Sequence, residues 1–173
     1  MGFSVPGAIG AEYASSGSPI IAITGDGSIM MNLQELMTIK YNHLSSKIFI
    51  INNNGYSCIR SMQNKAFRGR IIGTDCSCGI SFPSFQKIAD AFELPYKKLT
   101  NPLHLSDQIS KILAIDGPVL CEVVCVAEQD ILCVDTTFNK KHRVVKRPLE
   151  DLAPFMDREL FKSEMMINPI NED

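Results

Sequence analysis

Three short runs rich in β-branched and aliphatic residues restrict this chain more than any other feature: residues 20–24 (IIAIT), 47–51 (KIFII) and 118–126 (PVLCEVVCV). Strands that stay apolar along their length, without alternation, are buried on both faces, as in a parallel sheet. Between them, apolar residues recur at helical spacing. Residues 5–14 (VPGAIGAEYA) read as a tightly packed helix closed by the turn residues 15–19. Residues 32–41 place Leu33, Leu36 and Met37 on one face, and Met30, Met31, Met37 and Met62 read as core filling. A helix opening at Pro83-Ser84 aligns Phe85, Ile88, Ala89 and Phe92, and residues 103–115 turn Leu105, Ile109, Ile112 and Leu113 inward. Residues 96–99 add a short strand. Strands alternating with helices predict the α/β class, a three-layer α/β/α arrangement around a mostly parallel sheet with right-handed crossovers.

Length and charge bound the rest. A chain of 173 residues suits one domain with an added tail. The periodic pattern ends near residue 126, so residues 1–126 are expected to form the domain and 127–173 a C-terminal arm. That arm carries a basic stretch (Lys140, Lys141, His142, Arg143, Lys146, Arg147) followed by an acidic and apolar one. A net charge of −2, from 17 basic and 19 acidic residues, gives no electrostatic case for nucleic acid or a membrane surface. No apolar run reaches the roughly 18 residues that span a bilayer, and the opening MGFSVPGAIGA lacks the basic start and apolar core of a secretion signal. The six cysteines form no CxxC pair, so reduced thiols and a cytoplasmic location are expected.

In an open parallel sheet, ligands bind beyond the carboxyl ends of the strands. Two apolar runs end in polar, glycine-containing turns: Gly25-Asp26-Gly27-Ser28 and Asn52-Asn53-Asn54-Gly55-Tyr56. The first has the G-x-G of a dinucleotide loop, but Met30 stands where the third glycine belongs. A carboxylate between two glycines that cradle phosphate would repel a diphosphate unless a cation lay between them. Mg²⁺ suits that place, since it takes six oxygens and joins one or two protein groups to phosphates. Asn53 follows Asp26 by one helix and one strand and supplies a neutral oxygen; the Gly55 carbonyl supplies another. The N–H groups of Gly27 and Ser28 are placed to meet the diphosphate.

Gly25-Asp26-Gly27 followed by Asn52-Asn53 resembles the GDG…NN motif of thiamine-diphosphate enzymes, and the stretch MGFSVPGAIGAEYA resembles the acetolactate synthase branch. The resemblance extends to about residue 126. It implies the thiamine-diphosphate-binding fold, with Asp26 and Asn53 as Mg²⁺ side-chain ligands and Gly55 as the carbonyl ligand. Gly25, Gly27, Ser28 and Tyr56 then line the cofactor, and Met1 lies beneath it, holding its bent form. It also implies an enzyme that decarboxylates a 2-keto acid and transfers the two-carbon unit to a second carbonyl. Another thiamine-diphosphate decarboxylase, lyase or C–C hydrolase, or a non-catalytic binding module, is the alternative. The glutamate that activates the pyrimidine would come from a separate pyrimidine-binding domain, of the same or a second subunit, in a homodimer or homotetramer. No residue of this chain is assigned to catalysis itself, and the isolated chain is expected to be inactive.

Plainer roles compete for the same residues. Asp26 could cap the following helix, Asn52 and Asn54 could be turn formers, and His43 and His104 sit where helix ends explain them. Residues 57–60 could face substrate. The loop at 63–81 and the tail beyond 127 are expected to open more readily than the sheet.

Overall fold

The computed structural model describes residues 1–16, 18–129, 133–139 and 141–169. In chain order the elements are α1 (Ser4–Ala14), β1 (Ile21–Gly25), α2 (Asp26–Ile29), α3 (Glu35–Tyr41), β2 (Lys47–Asn52), α4 (Ser57–Ala66), α5 (Phe85–Ala91), β3 (Tyr96–Leu99), α6 (Leu105–Leu113), β4 (Val119–Val124), β5 (Thr136–Phe138), β6 (Val144–Lys146) and α7 (Arg158–Glu164). They fall into two compact units, Met1–Glu128 and Gln129–Asp173.

The first unit is built on a four-stranded parallel sheet in the order β1-β2-β4-β3. The chain passes from β2 to β3 at the far edge, then returns through α6 to lay β4 between them. One sheet face carries Ala22, Ile48, Ile50 and Leu120, packed with Val5 and Ala8 of α1, Leu36 and Ile39 of α3 and Phe85 and Ala89 of α5. The other carries Phe49, Leu99, Val119 and Cys121 under Ile112 of α6. This is the expected α/β, three-layer architecture.

The structure corrects several details. β1 is an edge strand, and its outward residues Ile21 and Ile23 are 54% and 64% exposed. Its apolar run implied burial on both faces, but among the described residues nothing covers that side. Residues 30–34 are turns, so α3 starts three residues later than the periodicity suggested. Asn32 donates its side-chain amide to the Gly2 carbonyl (2.6 Å), a tertiary bond that ties this turn to the start of the chain. Ile39, fully buried, takes the core position, whereas Met37 is half exposed. Met30, Met31 and Met62 are likewise surface residues. α6 buries a narrower stripe than expected, leaving Leu105 and Leu113 more than a third exposed. His104 makes no side-chain cap; it lies in the left-handed region at the helix start.

Two buried charges hold the amino ends of the strands. Lys47 donates to the carbonyls of Ile115 and Gly117 beyond α6, and burial pushes its pKa down against the pull of Asp116 and Glu12. Glu12, on α1, accepts from the Ser45 N–H and the Ser46 hydroxyl.

The second unit is more ordered than its fading periodicity suggested. β5 and β6 form an antiparallel hairpin, with Thr136 opposite Lys146. Arg147 and Arg158 both bind the buried Asp151 carboxylate, the latter at 2.8 and 2.9 Å, and Phe161 is 5% exposed. Arg147, part of the basic stretch, is therefore a buried partner of Asp151. Strands of three residues are too short to register as a period. Among the described residues, no helix is long and apolar enough to cross a membrane.

Candidate functional site

Parallel register sets Gly25 beside Ile51, so β1 and β2 deliver their polar turns to one crevice at the carboxyl end of the sheet. Asp26, 2% exposed, stands at its centre as the first residue of α2. Its Oδ1 accepts the N–H of Gly27 at 2.7 Å, and its Oδ2 accepts the N–H of Gly55, from the other turn, at 3.0 Å. Burial pushes the Asp26 pKa up, while the N–H groups of Gly27, Gly55, Asn54 and Asn53 pull it back; burial is the larger effect. The helix-cap role does not hold. Gly25 is the cap residue of α2, and the Asp26 oxygens bond to the next residue and across the crevice.

Asn53 donates its side-chain nitrogen to the Ser57 hydroxyl at 3.0 Å, which leaves its carbonyl oxygen outside that bond. Among the described residues, the hydrogen-bond partners of the Asp26 carboxylate are backbone N–H groups, with no Lys, Arg or His paired to it. A buried carboxylate opposed only by backbone dipoles, next to neutral oxygens, fits a hard divalent cation with oxygen ligands. Among the described residues no cluster of three His, Cys, Asp or Glu offers a softer or all-acidic site.

The two turns are in close contact. A side chain at Gly27 would put its Cβ 2.1 Å from Tyr56 Cε1, and the Tyr56 hydroxyl donates to the Gly27 carbonyl at 3.3 Å. Tyr56 in turn meets Phe82 edge to face at 5.9 Å. The N–H of Gly27, expected to meet a phosphate, is taken by Asp26. Ser28 uses its hydroxyl to accept the N–H of Gly2 at 2.9 Å, so residues 1–2 are stitched to α2. Met1 itself is 70% exposed.

A clamp from the following loop was not legible in the sequence. Tyr56 N–H donates to the carbonyl of buried Thr74 (2.8 Å), and Gly55 forms a β-bridge with Asp75. Arg60 of α4, 5% exposed, pairs with Asp75 at 2.8 Å, lies 3.3 Å from Glu128 and donates to the Ala127 carbonyl. Residues 57–60 therefore divide: Ser57 and Arg60 support the turn, while Cys58 and Ile59 are exposed. Gln63 pairs both polar ends of its side chain with the backbone of Ile72, so the loop at 63–81 is tied at several points.

The clamp has a pH limit. Hydrogen bonds from the Ser77 hydroxyl and N–H, then from Arg60, hold the Asp75 pKa down at about 2. A carboxylate depressed on folding stabilises above its unfolded value, and that contribution is lost as pH falls through the folded value. The clamp is thus expected to persist at pH 4 and above and to release between about pH 4 and 2. Carboxyl-carbon NMR shifts across that range check this; an Asp75 midpoint near 4 would contradict it.

The chain was compared with known proteins. Residues 1–123 match the family model described as thiamine pyrophosphate enzyme, C-terminal TPP binding domain. The acetolactate synthase large subunit of Cyanidium caldarium is 35% identical over 130 residues, 75% of this chain and 22% of that protein. Chloroplastic acetolactate synthase 3 of Brassica napus is 31% identical over 136 residues (76% and 21%), and chloroplastic acetolactate synthase 2 of Nicotiana tabacum is 32% identical over 136 (76% and 20%). The chain spans about a fifth of the length of these curated relatives. With the motif turns at adjoining strand ends and the family model covering most of the chain, this protein belongs to the C-terminal thiamine-pyrophosphate-binding domains of thiamine pyrophosphate enzymes, whose usual partner metal is Mg²⁺.

Proposed function

We propose that residues 1–126 bind Mg²⁺ and the diphosphate of thiamine diphosphate within an acetolactate-synthase-like enzyme. Asp26, Asn53 and the Gly55 carbonyl would hold the metal. Gly25, Gly27, Ser28 and Tyr56 would form the diphosphate wall, and Met1 would sit under the cofactor. The observation that carries this reading is the buried Asp26 carboxylate, which faces the 53–55 turn and, among the described residues, has no cationic side chain paired to it. When bound, thiamine diphosphate supplies the carbanion nucleophile; the chain's residues position it and balance its charge. The acetolactate synthases among the relatives support a 2-keto acid as substrate and a second carbonyl as acceptor. The family match supports a separate pyrimidine-binding domain, from the same or a second subunit, and the resemblance to thiamine-diphosphate enzymes suggests a homodimer or homotetramer. Residues 127–173 would be an arm attached to this core. Six free thiols support a reducing compartment such as the cytoplasm.

The test is a calorimetric titration of the chain with thiamine diphosphate, with and without Mg²⁺. Binding is expected only with the metal, because carboxylate and diphosphate repel without it. Equal affinity in both conditions would remove the metal-bridge reading.

A further inference from the structure

Glu122 is a buried carboxylate that the site described above does not use. It lies on β4, 5% exposed, on the same sheet face as Ile48, Ile50 and Leu120. A carboxylate is costly there unless its oxygens are hydrogen-bonded. The partners come from both neighbouring strands. Tyr96 of β3 donates its hydroxyl to Oε2, and Lys98 Nζ lies 3.4 Å from Oε1. From β2, Asn52 donates Nδ2 to Oε1 at 2.7 Å.

Asn52 is the last residue of β2, directly before Asn53. An ionised carboxylate can only accept, so Asn52 must present its nitrogen to Glu122 and turn its oxygen the other way. That oxygen accepts the N–H of Asn54 at 3.0 Å. Asn54 has φ +58°, in the left-handed region that asparagine tolerates better than most residues, and the bond to Asn52 ties its N–H in that conformation. The next N–H, of Gly55, is the one that reaches Asp26 at 3.0 Å. A continuous path of hydrogen bonds therefore runs from Tyr96 and Lys98 through Glu122 and Asn52 into the turn.

We propose that Glu122 is a positioning residue: by fixing the orientation of the Asn52 amide it holds the 52–55 turn in the shape that presents Asn53 and Gly55 to Asp26 and its cation. This rests on the Mg²⁺ reading for its purpose, though not for its geometry. If Glu122 merely staples three strands, its loss would loosen the sheet as a whole. If it positions the turn, the effect is local and passes through Asn52.

The test uses the full chain and its Glu122→Leu, Glu122→Gln and Asn52→Ala variants. Amide hydrogen exchange is followed without ligand, with residues 48–50 as the internal reference. Glu122→Leu and Asn52→Ala are expected to speed exchange at Asn54 and Gly55 by about 10-fold against that reference, as local opening does. With thiamine diphosphate saturating, both are expected to weaken Mg²⁺ binding about 10–100-fold, the usual cost of losing an outer-shell partner. The double variant is expected to lose no more than the worse single one, since both break one path. Glu122→Gln keeps an oxygen for Asn52 and is expected to stay within about 3-fold of the unaltered chain. Should Glu122→Leu not fold, Glu122→Met, unbranched like glutamate and equally without an acceptor for Asn52, takes its place in every comparison; Asn52→Ala alone does not, because it also removes the oxygen that holds the Asn54 N–H. Unchanged exchange at Asn54 and Gly55, or exchange raised equally at residues 48–50, would overturn the proposal. An unaltered chain that binds no Mg²⁺ with thiamine diphosphate would defeat the metal reading, and the exchange data would still decide whether Glu122 holds the turn.

Discussion

Asp26→Asn is expected to weaken Mg²⁺-dependent binding of thiamine diphosphate by about 100-fold or more, beyond the 10–100-fold typical of outer-shell changes. The melting midpoint of the ligand-free chain should move by only a few degrees. Two effects oppose each other in that chain. Asparagine removes a charge whose burial raises the Asp26 pKa above 3.8. It also turns an NH₂ toward one of the two N–H groups, of Gly27 or Gly55, that the carboxylate now accepts. An unpaired buried N–H costs about 1–3 kcal/mol, which offsets the relief of charge. The pH dependence separates the two. A carboxylate whose folded pKa is raised binds its proton more tightly in the folded chain, so its contribution favours folding at low pH and declines as pH rises through the folded value. The asparagine side chain cannot titrate, so the variant's stability should be flatter across that range. Calorimetric titration with and without Mg²⁺, on both proteins, gives the binding half, and scanning calorimetry at several pH values gives the rest. Equal affinity in all four titrations would leave Asp26 with no role in binding the metal.

Gly55→Ala should be strongly destabilising. Its Cβ would lie 2.5 Å from the Thr74 carbonyl oxygen and 3.2 Å from Arg60 Nη1. The first neighbour is backbone, held by its bond from Tyr56 N–H, and cannot step aside without opening the clamp. Forcing an extra carbon into a packed site costs about 1–3 kcal/mol, roughly 3–10 °C for a chain of this size. Any shift of the turn also draws Gly55 N–H away from Asp26, so cofactor binding should fall as well. Gly10→Ala is the matching control. Gly10 is exposed in the middle of α1 and nothing lies within 4 Å of the added carbon. Alanine there should stabilise by about 0.5–1 kcal/mol through helix propensity alone. Urea denaturation of the three proteins ranks them; Gly55→Ala as stable as the unaltered chain would contradict the close approach.

The fold class was legible because it is written locally, and the cofactor because GDG…NN resembles a known family's motif. A short β-branched run bounded by turn residues favours a strand, and a glycine-flanked carboxylate at its end suits a cation between it and a phosphate. Asp26, Asn53 and Gly55 stood out by position alone, each just past an apolar run. The extent of β3, Tyr96–Leu99, matches the expected strand although its sequence YKKL is not an apolar run. Other features depend on neighbours remote in sequence. Whether β1 lies at an edge, leaving Ile21 and Ile23 exposed, is set by strand order, and composition is blind to that. Nothing in the sequence pairs Arg60 with Asp75, fifteen residues on, until the chain folds back and buries one against the other. Glu122 looked like a lone polar residue in a strand, and its partners Asn52, Tyr96 and Lys98 come from two other strands. Short-range sterics, periodicity and residue chemistry were enough to place the four sheet strands and the two polar turns that follow β1 and β2. Only the tertiary structure decided which buried charges are paired and what holds the 52–55 turn, because a buried ion is stabilised by whatever atoms packing brings within about 3 Å, and packing is not local.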